Sequence, residues 1–172
     1  MSSTPHRMRA VTNLGTLFTD VGLFERYERA AAAGFNFKSA AELAAEEDIL
    51  CLIEPINSYT IPGYFLNNYN QAVQVLEDLG KKPNLKLMFD VFHAQQICGQ
   101  LTATVRQLRH YIGHIQIAQV PARGPPDSPG EIDYHYVFQM LKDEVNHLSN
   151  IGCEYNYNGE NFDWVSGLGL EF

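Results

Sequence analysis

Four oxygen-bearing side chains lie at the ends of short apolar runs in this sequence. Glu54 follows Leu-Cys-Leu-Ile, and Asp90 follows Leu-Lys-Leu-Met-Phe. Gln116 lies in His-Ile-Gln-Ile, and Glu154 follows Gly-Cys near the carboxyl end. A carboxylate beside an apolar strand is costly to bury unless it is paired or bound to a cation. Because carboxylate and amide oxygens are the ligands that hard divalent cations prefer, the four residues predict one shared metal site.

Two polar residues accompany this set. His93 stands three residues after Asp90, and Arg123 stands seven residues after Gln116 in a loop rich in proline and glycine. Taken singly, residues of these types are better explained as helix caps, ion-pair partners, structural histidines or solvated loop residues. The repetition of metal-type side chains at four consecutive strand ends is what indicates a site.

The apolar runs alternate with amphipathic segments along the chain. The predicted strands are residues 8–17, 50–53, 85–92, 114–120 and 152–155, and the predicted helices are residues 24–33, 39–47, 64–79, 101–112 and 134–145. The run at residues 50–53 lacks polar alternation, which is typical of a strand covered on both faces. Strands alternating with helices predict a parallel sheet, either as an open doubly wound sheet or as a (β/α) barrel. Barrel enzymes place their sites at the carboxyl ends of the strands, where these side chains stand.

Composition excludes several classes of partner. The chain has 172 residues and a formal net charge of −8, and it has no cluster of lysine and arginine that would bind nucleic acid. No apolar run approaches the length of about 18 residues that a membrane span requires, and the first residues lack the apolar segment of a secretory signal. Cys51, Cys98 and Cys153 are odd in number and widely spaced, which favours a reducing compartment and hence the cytoplasm.

Four motifs in this sequence resemble those of one enzyme family in order and spacing. They are Glu54-Pro-Ile-Asn57 with Pro62-Gly-Tyr-Phe-Leu-Asn67, Asp90-Val-Phe-His93, Gly113-His-Ile-Gln-Ile-Ala-Gln-Val-Pro-Ala-Arg123 with Pro129-Gly-Glu-Ile-Asp-Tyr134, and Gly152-Cys-Glu-Tyr155. They resemble strands five to eight of the hydroxypyruvate isomerases, which belong to the xylose isomerase-like TIM barrels. The glutamine of His-Ile-Gln separates this group from related epimerases, which usually have histidine there.

The resemblance implies a reaction and a role for each residue. The reaction is the interconversion of hydroxypyruvate and tartronate semialdehyde, an aldose–ketose type of isomerisation on a small hydroxy-keto acid. The implied metal is Mg²⁺ or Mn²⁺, held by Glu54, Asp90, Gln116 and Glu154. Glu54 and Glu154 are then the catalytic acid–base pair. His93 would form a hydrogen bond with a substrate oxygen, and Arg123 would pair with the substrate carboxylate.

The amino end resembles the family only in part. Residues 9–35 resemble the first strand and first helix, and residues 37–48 resemble the helix before the fifth strand, so strands two to four are expected to be absent. A complete barrel needs about 250 residues. We therefore expect a single truncated (β/α) domain over residues 1–172, with a joint near residues 35–39 and about five parallel strands. Such an open sheet favours homo-oligomers through its edges, and this shortened form is expected to have little activity.

Three other functions remain open from the residues alone. A related keto-sugar epimerase would use the same metal and two glutamates. A barrel of the endonuclease IV type would need a basic groove and more histidine ligands, which this sequence does not offer. A non-catalytic truncated variant would bind partners without turnover.

Overall fold

The computed structural model describes residues 37–145, 150–159 and 161–171. The strand and helix predicted before residue 37, and residues 35 and 36 of the expected joint near residues 35–39, lie outside these ranges. The elements below belong to a compact unit spanning Ala41–Phe172, except for the first residues of the first helix.

Four parallel strands form one sheet in chain order. They are β1 (Cys51–Ile53), β2 (Leu85–Asp90), β3 (Ile112–Ile117) and β4 (Ile151–Cys153), with the order β1-β2-β3-β4. The helices are α1 (Phe37–Glu46), α2 (Tyr69–Asp78), α3 (Val91–Ile97), α4 (Leu101–Leu108), α5 (Tyr134–Glu144) and α6 (Asp163–Gly167). A doubly wound sheet reverses its strand order at a switch point, whereas a barrel adds each strand beside the last. The observed order therefore confirms the incomplete (β/α) barrel.

One side of this sheet carries the hydrophobic core. Leu87 and Phe89 of β2 and Ile115 and Ile117 of β3 are fully buried, because α2 to α5 cover that side. The buried helix residues that pack there include Leu76, Val105, Leu108, Val137, Phe138 and Leu141. Residues alternate between the two faces of a strand, so the polar residues of β2 and β3 share the opposite face.

The segment before α2 is a loop and not helix, contrary to the prediction of a helix from residue 64. The helix begins at Tyr69, where the side chain of Asn68 accepts a hydrogen bond of 2.8 Å from the backbone N–H of Gln71. This N-cap fixes the start of the helix. The residues before it cross back toward the loop after β1, where the Ile56 N–H donates to the Leu66 carbonyl.

The prediction of a strand up to residue 92 is also wrong at its end. Strand β2 ends at Asp90, whose carboxylate accepts a hydrogen bond of 2.8 Å from the Phe92 N–H and so caps α3. The apolar pair Val-Phe continues the strand pattern in the sequence, which hides this helix. As a consequence, His93 lies in the first turn of α3, close to the strand end.

Other boundaries differ by a few residues. Helix α4 ends at Leu108, and Ile112 already belongs to β3, which ends at Ile117. Strand β1 is less covered than its apolar pattern predicts, because it is an edge of the sheet in the described part of the chain. Cys51 and Leu52 are half-buried, and the neighbouring Leu50 is 45% exposed. None of the described helices has the length and apolar character that a membrane span requires.

Candidate metal and substrate site

A β-bulge sets the register that forms the site. Leu87 pairs with Ile112, but Met88 pairs with His114, so Gly113 is the extra residue. This shift places Gln116 directly opposite Asp90. Without it Ile115 would oppose Asp90, because a slip of one residue turns every side chain to the other face. The extra residue must be small, since a Cβ on Gly113 would lie 2.6 Å from the Cβ of Lys86.

The same face continues across β4 and β1. Gln116 pairs with Gly152, and Glu154 follows two residues later, on the same face of the sheet. A Cβ on Gly152 would lie 3.1 Å from Cγ of Gln116, so the glycine gives the Gln116 side chain its space. Glu54 directly follows β1 and shares this face too. The sheet thus brings Glu54, Asp90, Gln116 and Glu154 to one end of one face, as the sequence predicts.

His93 joins two of these carboxylates. Its Nε2 lies 3.7 Å from Asp90 Oδ2 and 3.9 Å from Glu54 Oε1. The possible ligand atoms of Glu54, Asp90 and His93 all lie within 4.8 Å of one another, a spacing that suits one metal ion. The sequence analysis predicts that His93 contacts the substrate and does not place it among the metal ligands. Its position allows both roles, because Nε2 can bind a metal when it is unprotonated and can donate a hydrogen bond when it is protonated.

Arg123 supplies the positive charge next to the carboxylates. Its Nη2 lies 3.3 Å from Asp90 Oδ2 and 3.0 Å from Glu154 Oε1, and its Nε donates to the Glu154 carbonyl at 3.0 Å. The guanidinium lies over the Phe92 ring, 4.7 Å from its centroid, which is a favourable cation–π arrangement. Arg123 therefore contacts the site residues and is not a solvated loop residue.

The loop that carries Arg123 is held by Gln119, which sequence reasoning missed. The buried Gln119 amide donates to the carbonyls of Pro126 and Ile132 and accepts from the N–H groups of Val120 and Ile132. Its backbone N–H also donates to Gly124. Buried amides are costly unless they are satisfied, and here one side chain satisfies backbone groups of both loop ends. A single glutamine in a sequence gives no local signal for such a role.

Burial raises the proton affinity of the two innermost carboxylates. The pKa of Glu54 is raised to about 8, mainly by burial and also by the nearby charges of Asp90 and Glu154, while Arg123 opposes the shift. The pKa of Asp90 is raised to about 6 by burial, against the hydrogen bond from Phe92 and the charge of Arg123. Burial and Arg123 lower the pKa of His93 to about 4, so His93 is neutral at pH 7.

Two oxygens in this site lack partners. Glu54 Oε1 and Gln116 Oε1 are buried and accept no hydrogen bond within the described part of the chain. Each such atom costs about 1–3 kcal/mol unless something compensates it. A hard cation would compensate both, because it takes oxygen ligands and favours the ionised carboxylates. The donor set therefore fits a divalent metal ion.

The amino-acid sequence matches the family described as the xylose isomerase-like TIM barrel over residues 18–169. A Caenorhabditis elegans protein that is itself a proposed hydroxypyruvate isomerase is 49% identical over 137 residues, which are 80% of this chain and 52% of the relative. The hydroxypyruvate isomerase of Escherichia coli is 43% identical over 120 residues, which are 70% of this chain and 45% of that enzyme.

A solved structure agrees with these relatives. The structure called AP endonuclease, family 2, from Brucella melitensis superposes with a TM-score of 0.71 at 35% identity, over 76% of this chain and 51% of that one. The chain thus spans about half the length of the curated relatives it matches. The resemblance to hydroxypyruvate isomerases is confirmed, and the chain belongs to the xylose isomerase-like TIM barrel family.

Proposed function

We propose that this protein is a metal-dependent isomerase that interconverts hydroxypyruvate and tartronate semialdehyde. The observation that carries the proposal is the set of four oxygen-bearing side chains on one sheet face, two of which have buried oxygens that accept no hydrogen bond among the described residues. The similarity to the Escherichia coli hydroxypyruvate isomerase supports this substrate. No observation favours a keto-sugar epimerase over it.

The chemistry moves a proton between adjacent carbons. C3 of hydroxypyruvate loses a proton to a base, and the electron pair forms an enediolate across C2 and C3. A proton is then delivered to C2, and the hydroxyl proton passes from O3 to O2, so that C3 becomes the aldehyde carbon and C2 carries the hydroxyl. Glu54, Asp90, Gln116 and Glu154 would hold Mg²⁺ or Mn²⁺, which when bound supplies electrophilic stabilisation of the enediolate oxygens.

Glu54 and Glu154 suit the two proton transfers. They follow β1 and β4, on either side of the pair formed by Asp90 and Gln116, so they can face opposite sides of a planar enediolate. One glutamate would take the proton from C3 and the other would deliver a proton to C2. Burial, with smaller contributions from the charges of Asp90 and Glu154, raises the pKa of Glu54 to about 8, which suits a group that must accept a proton near neutral pH.

Arg123 is proposed to bind the substrate carboxylate. In the described structure its guanidinium neutralises Asp90 and Glu154. When a cation takes over that role, the guanidinium can turn its donors to an anionic substrate without leaving the carboxylates uncompensated. His93 is proposed to donate a hydrogen bond to a substrate oxygen.

We infer that the reaction takes place in a reducing compartment. The cysteines Cys51, Cys98 and Cys153 form no disulfide, which supports a reducing compartment and therefore the cytoplasm. We expect a small-molecule substrate and, because the net charge is −8, no nucleic-acid partner.

We also propose that the 172-residue chain associates with itself and turns over slowly. Within the described residues, β1 and β4 are the edges of the sheet, and an edge strand presents unpaired backbone groups that another chain can pair with. Ile49 and Leu50 next to β1 are about half exposed, at 49% and 45%. Among the described residues no strand forms the opposite wall of the barrel, and a pocket without that wall would admit water to the enediolate, which slows the reaction.

Metal affinity should rise with pH. Glu54, with a pKa of about 8, and Asp90, with a pKa of about 6, must lose their protons to bind a cation, so protons compete with the metal below these values. Calorimetric titration with Mn²⁺ should give weaker binding at pH 6 than at pH 8. It should also show release of about one proton per ion at pH 7 when two buffers are compared.

Glu54→Gln should remove this binding, whereas Glu46→Gln, which changes an exposed carboxylate, should leave it unchanged. Affinity that does not vary between pH 6 and pH 8, without proton release, would contradict the proposed ligands.

Glu154→Gln should abolish isomerisation, because an amide cannot exchange the proton. The test uses a version of the chain extended to full barrel length with strands two to four of the Caenorhabditis elegans relative. Loss of a general base costs about 10²–10⁴-fold in kcat. The exposed Glu131→Gln is the matched control. Mn²⁺ affinity is measured in parallel to separate proton transfer from loss of metal, and retention of more than about a tenth of the rate would rule out the catalytic role.

Arg123→Ala should weaken binding of the anionic substrate selectively. A charge-assisted hydrogen bond is worth about 1.5–3 kcal/mol, so KM for hydroxypyruvate should rise about 10- to 100-fold in the extended version. KM for dihydroxyacetone, in which an uncharged hydroxymethyl group replaces the carboxylate, should change much less. Arg109→Ala, at an exposed arginine, is the control. Equal effects on both substrates would exclude the carboxylate contact.

Self-association of the 172-residue chain should be visible by gel filtration with light scattering. We expect a dimer or larger species, with turnover at least about 100-fold below that of the extended version. Leu50→Lys places a charge beside the β1 edge and should reduce association, since lysine deters edge pairing. A cooperatively folding monomer with the turnover of the extended version would contradict the proposal.

A further inference from the structure

Asn57 links the loop after β1 to His93. The Asn57 side chain is 1% exposed, three residues beyond Glu54. Its Oδ1 accepts a hydrogen bond of 2.8 Å from the Thr60 N–H, and its Nδ2 lies 2.7 Å from Nδ1 of His93. The backbone N–H of Asn57 points to the same Nδ1 at 3.2 Å.

These contacts decide which end of the Asn57 amide faces His93. A backbone N–H can only donate, so the amide atom next to Thr60 must be the oxygen. The other end is the NH₂ group, which is a donor. Nδ1 of His93 therefore faces two donors, the side-chain NH₂ and the backbone N–H of Asn57. It must be unprotonated, so that its lone pair can accept these hydrogen bonds.

The proton of the neutral imidazole then belongs on Nε2. A neutral histidine carries one N–H, and the hydrogen bond at one nitrogen fixes the state of the other. Nη1 of Arg123 lies 3.3 Å from Nε2 and is also a donor. The two shorter contacts at Nδ1, at 2.7 and 3.2 Å, outweigh this longer one, and the Nε2–H has the carboxylates of Asp90 and Glu54 on its side of the ring.

We propose that Asn57 is a positioning residue that fixes His93 as the Nε2–H tautomer, so that His93 serves the site as a hydrogen-bond donor and not as a metal ligand. An Nε2 that carries a proton has no lone pair for a cation, although its position among the carboxylates would suit a ligand. That the acceptor is a substrate oxygen rests on the proposed function. The tautomer itself rests only on the contacts of Asn57.

The experiment reads the tautomer directly in the 172-residue chain labelled with ¹⁵N-histidine. Two-bond ¹H–¹⁵N correlation distinguishes protonated from unprotonated ring nitrogens, in solution or, for an assembled sample, by magic-angle spinning. The His93 signals are assigned by their absence in His93→Gln. We expect Nε2–H to exceed Nδ1–H at least about tenfold, because two hydrogen bonds to Nδ1 favour it. A predominantly Nδ1–H ring would overturn the proposal.

Two variants separate positioning from a merely structural role. Asn57→Asp keeps the shape and the acceptor for Thr60 but replaces the donor at His93 by an acceptor, so it should move the proton to Nδ1. Asn57→Ala keeps the backbone donor and should retain the Nε2–H form. A structural role predicts the same tautomer in both variants, and that result would contradict the proposal. Asn68→Asp, at an exposed helix cap, is the control for added negative charge.

Addition of Mg²⁺ tests the exclusion of His93 from the metal. The Nε2–H signal should persist at saturating Mg²⁺, and its replacement by an Nδ1–H ring would show that Nε2 binds the ion. This measurement of the His93 tautomer does not depend on enzymatic turnover. A chain with the Nε2–H tautomer but without isomerase activity would leave the positioning role of Asn57 standing and would refute only the proposed function.

Discussion

The site depends on the burial of carboxylates that repel each other. Asp90 is fully buried, and burial together with the charge of Asp90 raises the pKa of the neighbouring Glu54. A carboxylate in such a place must be compensated or it takes up a proton. Arg123 and the Phe92 N–H compensate Asp90 in part, while Oε1 of Glu54 accepts no hydrogen bond from any described residue. This residual deficit of positive charge is the physical basis for assigning a cation to the site.

A β-bulge, a glycine and a buried amide hold these side chains in place. The bulge at Gly113 turns Gln116 to the face of Asp90, and Gly152 leaves space for it. Gln119 ties both ends of the loop that carries Arg123. Glycines and buried amides at these positions contribute little to the apolar core. Their role is to orient side chains on the polar face of the sheet.

The chain matches about half of its relatives' length. The candidate site residues all lie within residues 18–169, which match the family. All four oxygen-bearing side chains come from neighbouring strands, so a four-stranded part of the sheet is enough to bring them together. Closing the pocket and excluding water are different requirements, which need the rest of a barrel. The position of these side chains and the closure of the pocket therefore depend on different parts of a barrel.

The sequence by itself determined the alternation of strands and helices and the side chains at the strand ends, because both follow from local periodicity. It misplaced the start of α2 and the end of β2, where single caps, Asn68 and Asp90, decide the boundary against the apolar pattern.

Only the tertiary structure decided the rest. The ion pair of Arg123 with Asp90 and the link of Asn57 to His93 join residues 33 and 36 positions apart. The bulge at Gly113 exists only between two paired strands. Such features depend on which atoms meet in space and on how far water is excluded from them, and neither quantity is encoded in the spacing of residues along the chain.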